Sequence, residues 1–123
     1  MKKHKNERLF SKYVEEWCKK IWIGWWIIDV VYYSNKEFLK NESYEVSKET
    51  VAICHTSWEY LDASIHVNST LLKSVAEEDI ENIVVHELMH ILLNEMREPG
   101  IAHEERVATL LARSFILCDS KTR

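Results

Sequence analysis

The chain has 123 residues, 46% hydrophobic and 29% charged, which suits one domain with one hydrophobic core. It holds only two Gly (Gly24, Gly100) and one Pro (Pro99), so neither a phosphate-binding loop nor a dinucleotide-binding fingerprint can be built, and collagen-like or proline-rich readings fail as well. Sixteen Lys and Arg against 20 Asp and Glu give a net charge of −4, a poor electrostatic match to nucleic acid, and no nucleic-acid partner is expected.

Lys2, Lys3, Lys5 and Arg8 form one basic cluster at the amino terminus and read as a solvated end. Leu9, Phe10, Tyr13, Val14, Trp17, Cys18 and Ile21 then recur at helical spacing, which predicts an amphipathic helix over residues 5–20. Gly24 breaks that pattern. The aromatic and β-branched run from Trp25 to Tyr33 predicts a strand buried on most of both faces. The apolar stretch Ile21 to Tyr33 is interrupted by Asp29 and is too short to span a bilayer, so no membrane association is expected. Residues 34–49 are polar and read as a surface connection or a short frayed helix, and Thr50 to His55 as a short strand.

From Leu61 to Val67 apolar residues alternate with Asp62, Ser64 and His66, which predicts a strand with one buried face, near a sheet edge. A long helix follows from Glu77 to Arg97, acidic in its first turn and apolar almost all round, as a central buried helix would be. Pro99-Gly100 stops it, and a last helix runs from Ala102 to Cys118. No internal boundary is visible, so residues 1–123 read as a single domain. Cys18, Cys54 and Cys118 lack C-x-x-C spacing and read as buried reduced thiols. With no secretory signal in view, a cytoplasmic location is expected. The five Trp (17, 22, 25, 26 and 58) read as packing residues.

Within the buried helix stands His86-Glu87-Leu88-Met89-His90, the H-E-x-x-H pattern. Residues four apart lie roughly 40° apart around a helix, so the two imidazoles can grip one metal ion. Zn2+ held by neutral imidazoles lowers the pKa of a bound water toward neutrality, and Glu87 is placed to take its proton as general base. Two histidines and a carboxylate on an otherwise apolar helix would be costly to bury without such a shared partner. A third protein ligand is needed. Metzincin spacing fails, because Leu93 and Met96 stand where Gly and His would be required. The next donors are His103, Glu104 and Glu105, and helix geometry alone does not choose between the two glutamates. Glu104 centres the stripe of Val107, Ala108, Leu111 and Phe115, whereas Glu105 lies over the small residues Ala108 and Ala112.

With these residues the chain resembles a minimal gluzincin, the zinc metallopeptidases whose third ligand is a Glu on a later helix, and especially the small phage-type and ImmA/IrrE-like members. The resemblance covers about Trp25 to Phe115. In gluzincins the ligand Glu is followed by a small residue at i+3, a polar one at i+4 and a small one at i+7. Ala108, Thr109 and Ala112 fit that pattern from Glu105. The resemblance therefore implies His86, His90 and Glu105 as metal ligands, with Glu104 as the alternative, and Thr109 as a partner for a ligand imidazole. It also implies that Leu61–Val67 lies at the cleft edge, where a peptide could add as a strand. Tyr60, His66, His103 and Arg106 are the candidates for stabilising an oxyanion. The ImmA-like Asn is replaced by Thr109, and no room is left for a large second domain.

The expected fold is α+β and zincin-like: an amino-terminal helix, a small twisted three- or four-stranded sheet, the H-E-x-x-H helix and a carboxy-terminal helix carrying the third ligand. The expected function is zinc-dependent hydrolysis of a peptide or protein substrate. The alternative is a zincin-like metal-binding or regulatory protein with lost or latent activity, for instance with Asp119 to Arg123 blocking the cleft. Specificity is expected to lie in residues 34–60.

Overall fold

The computed structural model describes residues 4–21, 23, 26–41, 49–57, 60–93 and 104–122. Several expected features lie outside them: the Gly24-Trp25 break, residues 42–48, Trp22, Trp58, the Pro99-Gly100 turn and His103. The side chains of Glu104 and Arg106 lie outside them too.

Helix α1 (Lys5–Lys20) starts where the sequence predicts, because His4 is extended and its Nδ1 accepts from Asn6 N at 3.1 Å. Its apolar stripe buries Phe10, Val14 and Trp17. The Trp17 indole N–H donates to Glu81 Oε2 at 2.9 Å, which satisfies the polar edge of a ring otherwise in the core. Buried Asn6 sends its amide to the carbonyls of Leu72 (2.9 Å) and Val75 (3.1 Å) and so ties α1 to the turn before the central helix.

The sheet has three strands in the order β1-β3-β2: β1 (Ile27–Tyr33), β2 (Ala52–Ser57) and β3 (Asp62–Asn68). β1 pairs with β3 parallel and β2 pairs with β3 antiparallel. The alternation in Leu61–Val67 reports burial faithfully, since Ala63, Ile65 and Val67 are buried. Its placement at an edge does not hold: β3 is the central strand. Side-chain alternation reports which faces are covered, whereas an edge is set by hydrogen-bonding neighbours in the sheet plane, and the two are independent. Leu61 precedes the strand in a left-handed conformation, φ 55°, and its carbonyl accepts from Ile27 N at 3.0 Å. β1 is also less buried than its composition suggests. Ile28, Val30 and Tyr32 pack toward the core, while Ile27 (65% exposed) and Asp29 face outward.

Between β1 and β2 lies α2 (Asn35–Asn41), the short helix foreseen in the polar connection. Asn68 closes β3, accepts from Leu71 N at 3.3 Å as cap of the one-turn α3 (Ser69–Leu72), and donates to Asn35 Oδ1 at 2.8 Å. Helix α4 (Glu77–Leu92) is the central helix, burying Ile80, Val84, Val85, Leu88, Met89 and Ile91 against α1 and the sheet. Each such side chain contributes about 1.5–3 kcal/mol. The helix is described to Leu92, with Leu93 (φ −102°, ψ 17°) as its cap and the Leu93 N–H still donating to Met89 O at 2.9 Å, and the expected continuation to Arg97 lies outside the described residues. Helix α5 (Glu104–Thr122) lies along α4, and buries Ala108 and Ala112 completely. Small side chains at these two positions let the helix axes approach closely.

The molecule is thus α+β, with helices on one face of a small mixed sheet. The three thiols are free, as expected, but their burial differs: Cys54 is buried, Cys18 half-buried and Cys118 exposed on α5. Among the described residues no helix is long and apolar enough to cross a membrane.

Candidate metal centre

α4 presents His86 and His90 on one side, their ring centroids 5.0 Å apart and nearly perpendicular. α5 brings Glu105 over both. Its Oε2 is 3.0 Å from His86 Nε2, and its Oε1 is 3.0 Å from His90 Nε2. One donor atom from each of the three residues lies within 4.8 Å of the others, the one such group among the described residues. In a tetrahedral zinc site with bonds of about 2.0–2.1 Å, neighbouring donors stand roughly 3.3 Å apart. Two imidazole nitrogens and a carboxylate at these separations fit a zinc ion in both spacing and donor chemistry.

A second contact orients the histidine pair. Thr109, one turn beyond Glu105, places its Oγ1 3.3 Å from His86 Nδ1, so one imidazole is held at both nitrogens by residues of the same helix. α5 runs antiparallel to α4, with Glu105 reaching both histidines and Thr109 the earlier one. Its far end is fixed to α1 by the Lys20–Asp119 ion pair at 3.0 Å. Asp119 is therefore on a helix directed away from the cleft. Fourteen residues of helix separate it from Glu105, about 21 Å; of the Asp119 to Arg123 segment considered as a blocking tail, Arg123 and the side chains of residues 120–122 lie outside the described residues.

Burial is graded across the group: His90 is 2% exposed, the His86 side chain 21% and the Glu105 side chain 71%. Glu87 is buried as well, 6% exposed, yet it lines the same cavity as the triad. That cavity, about 560 Å³, is walled on its other side by Thr50, Ala52, Ile53 and Cys54. The strand at the cleft is thus β2, not the Leu61–Val67 segment, both of whose sides are taken by β1 and β2.

Of the oxyanion candidates, the two whose side chains are described, His66 and Tyr60, do not line this cavity. His66 is on the opposite face of the sheet, packed edge-on to Tyr33 at 5.3 Å and hydrogen-bonded to Ser64 Oγ at 3.0 Å. Tyr60 is 73% exposed in the turn between β2 and β3 and does not line the cavity. The wall residues Thr50, Ala52, Ile53 and Cys54 fall within the 34–60 stretch in which specificity is expected, although no motif singles them out. No spacing rule points to them, because they reach the site through strand order.

The helix pair over a small sheet, with histidines and a carboxylate converging between the helices, is the arrangement of a zincin-like protein. The sequence profile of the SprT-like family matches residues 29–113, most of the chain, and the protein belongs to that family. The matched segment contains all three donors and Glu87. Neither the curated proteins nor the solved structures contain a match to the chain.

Proposed function

We propose that this SprT-like protein is a zinc-dependent peptidase in which His86, His90 and Glu105 hold the metal and Glu87 is the general base. The third donor, a Glu on the following helix, makes it gluzincin-like in its ligand set. The observation that carries the reading is the bridging position of Glu105, 3.0 Å from each imidazole, over a cavity that also exposes an otherwise buried carboxylate. Zinc supplies Lewis acidity when bound, lowering the pKa of water toward neutrality. Glu87 follows His86 directly in α4, so its carboxylate stands beside the metal position without joining the donor set. From there it can accept a proton from water and return it to a leaving amine. The polypeptide substrate occupies the cavity between α4 and β2.

The test uses the full chain. Metal content is measured, and a denatured protein is digested with and without a chelator. Glu87→Gln keeps one zinc per chain and loses hydrolysis. His90→Ala and Glu105→Ala lose zinc, while Glu104→Ala retains it. Full activity in Glu87→Gln overturns the mechanism. Stoichiometric zinc with no cleavage of any substrate favours a metal-binding regulatory protein instead.

A further inference from the structure

A second cavity, about 300 Å³, adjoins the metal centre on the side toward the start of α4. It shares Ala52, His86 and Glu87 with the main cavity, so the two meet at the residues that would hold and activate the reacting groups. Its own walls are Val51 from the segment entering β2, Ile83 one turn before Glu87, and Asn82 and Thr109. Val51 and Ile83 are partly exposed although both pack against the core cluster. Their outer carbon surface is left to water by the fold and faces this cavity. Besides Glu87 and His86, the lining carries no ionisable side chain.

We infer that this cavity is a side-chain subsite for an aliphatic residue, of Val, Leu, Ile or Met size, next to the bond to be cut. The inference rests on the peptidase reading for its chemistry, and it goes further by naming the substrate's side-chain class. An aliphatic group would cover Val51 and Ile83 and release the water over them, a gain that grows with the apolar area buried. An acidic side chain would face Glu87 at short range and meet like charge. A basic one would be drawn to Glu87 and, in pairing with it, would occupy the carboxylate that must take up the proton, so it would bind without being turned over; its other neighbours are the neutral Asn82, Thr109, Val51 and Ile83. Ile83 sets the depth. It lies four residues before Glu87 on the same side of α4, so its bulk closes the cavity on the side away from the metal.

The test has two independent readouts on the zinc-loaded full chain. First, a denatured protein mixture is digested and the new termini are sequenced by mass spectrometry. Aliphatic residues are expected to be enriched about fivefold or more at one position flanking the cut. Ile83→Ala should move the preference to Phe and Trp, and Ile83→Phe should move it to Ala and Ser. Cleavage without a preference, or with one that neither variant moves, overturns the subsite while leaving the peptidase reading intact. Second, leucine hydroxamate and glycine hydroxamate are titrated calorimetrically. The leucine compound should bind about tenfold tighter, and Ile83→Phe should abolish the difference. If no substrate is cut yet the leucine compound is preferred in this way, the peptidase reading fails and the subsite stands. Equal affinities overturn the subsite. Zinc content and melting temperature of each Ile83 variant separate a lost pocket from a lost fold.

Discussion

Thr109 Oγ1 stands 3.3 Å from Nδ1 of His86, whose Nε2 faces Glu105 at 3.0 Å. With metal bound through Nε2, as proposed, the ring would carry its proton on Nδ1, and that N–H would donate to the Thr109 hydroxyl and fix the ring's tautomer and angle. Thr109→Val keeps the shape and removes the acceptor. It should weaken zinc binding roughly tenfold in competition against a chelator, while Thr109→Ser stays close to the parent. Equal affinities in all three proteins would show that the hydroxyl does not orient the ring.

Ala108 and Ala112 are buried without residual exposure of note, 0% and 1%, at the contact between α5 and α4. Ala108→Leu should force the helices apart and cost about 1–3 kcal/mol in denaturant unfolding. Because Glu105 is one turn away on the same helix, the same substitution should weaken zinc binding as well. A variant destabilised by this amount with unchanged metal affinity would show that helix spacing and donor position are independent.

Burial pushes the Cys18 thiol up from its ordinary 9.0 to about 11. Tyr32 moves in the same direction, mainly by burial and to a lesser degree by Glu7, against a lowering hydrogen bond from Ser11. The unfolded chain loses the Cys18 proton near pH 9 while the folded chain keeps it to about pH 11. Stability is therefore full below pH 9 and falls between about 9 and 11. Since the thiol is only partly buried, solvent limits its share to about 1 kcal/mol. Urea unfolding near pH 8 and near pH 10.5 should show a smaller loss for Cys18→Ala than for the parent, and an equal loss would remove Cys18 as a cause.

Leu61 holds φ 55°, a conformation costing a residue with a Cβ about 1–2 kcal/mol. Leu61→Val, branched at Cβ, should lower stability by about a further 1 kcal/mol, and Leu61→Gly should raise it by about 0.5 kcal/mol, both read from the denaturant midpoint. The opposite order would mean that packing of this 40%-exposed side chain outweighs its backbone strain.

Periodicity gave the helices and strands because it records which faces are covered. Phe10, Val14 and Trp17 mark α1, and Ala63, Ile65 and Val67 mark β3, with little ambiguity. The histidine pair was readable for the same reason, since a four-residue spacing is a geometric fact of a helix. What periodicity does not carry is lateral order. Nothing in Asp62–Asn68 says that both its sides are paired, and nothing in Ala52–Cys54 says that β2 forms the wall of the cleft. His66 is the converse case: the alternation itself sets it opposite the buried Ile65 and Val67, so its facing, unlike the strand order, was legible. Glu105 is an intermediate case. Spacing within α5 admitted two glutamates, and only the contact between the two helices shows Glu105 at the histidines.

The graded exposure of the three donors has a kinetic consequence. His90 is enclosed and Glu105 is mostly open to solvent, so a bound ion would be released first by the carboxylate. Exchange would then proceed through local undocking of α5 and not through unfolding of the core. The residence time of the ion would be governed partly by Lys20 and Asp119, some 20 Å along the helix, which touch nothing at the centre but fasten the far end of the element that closes it.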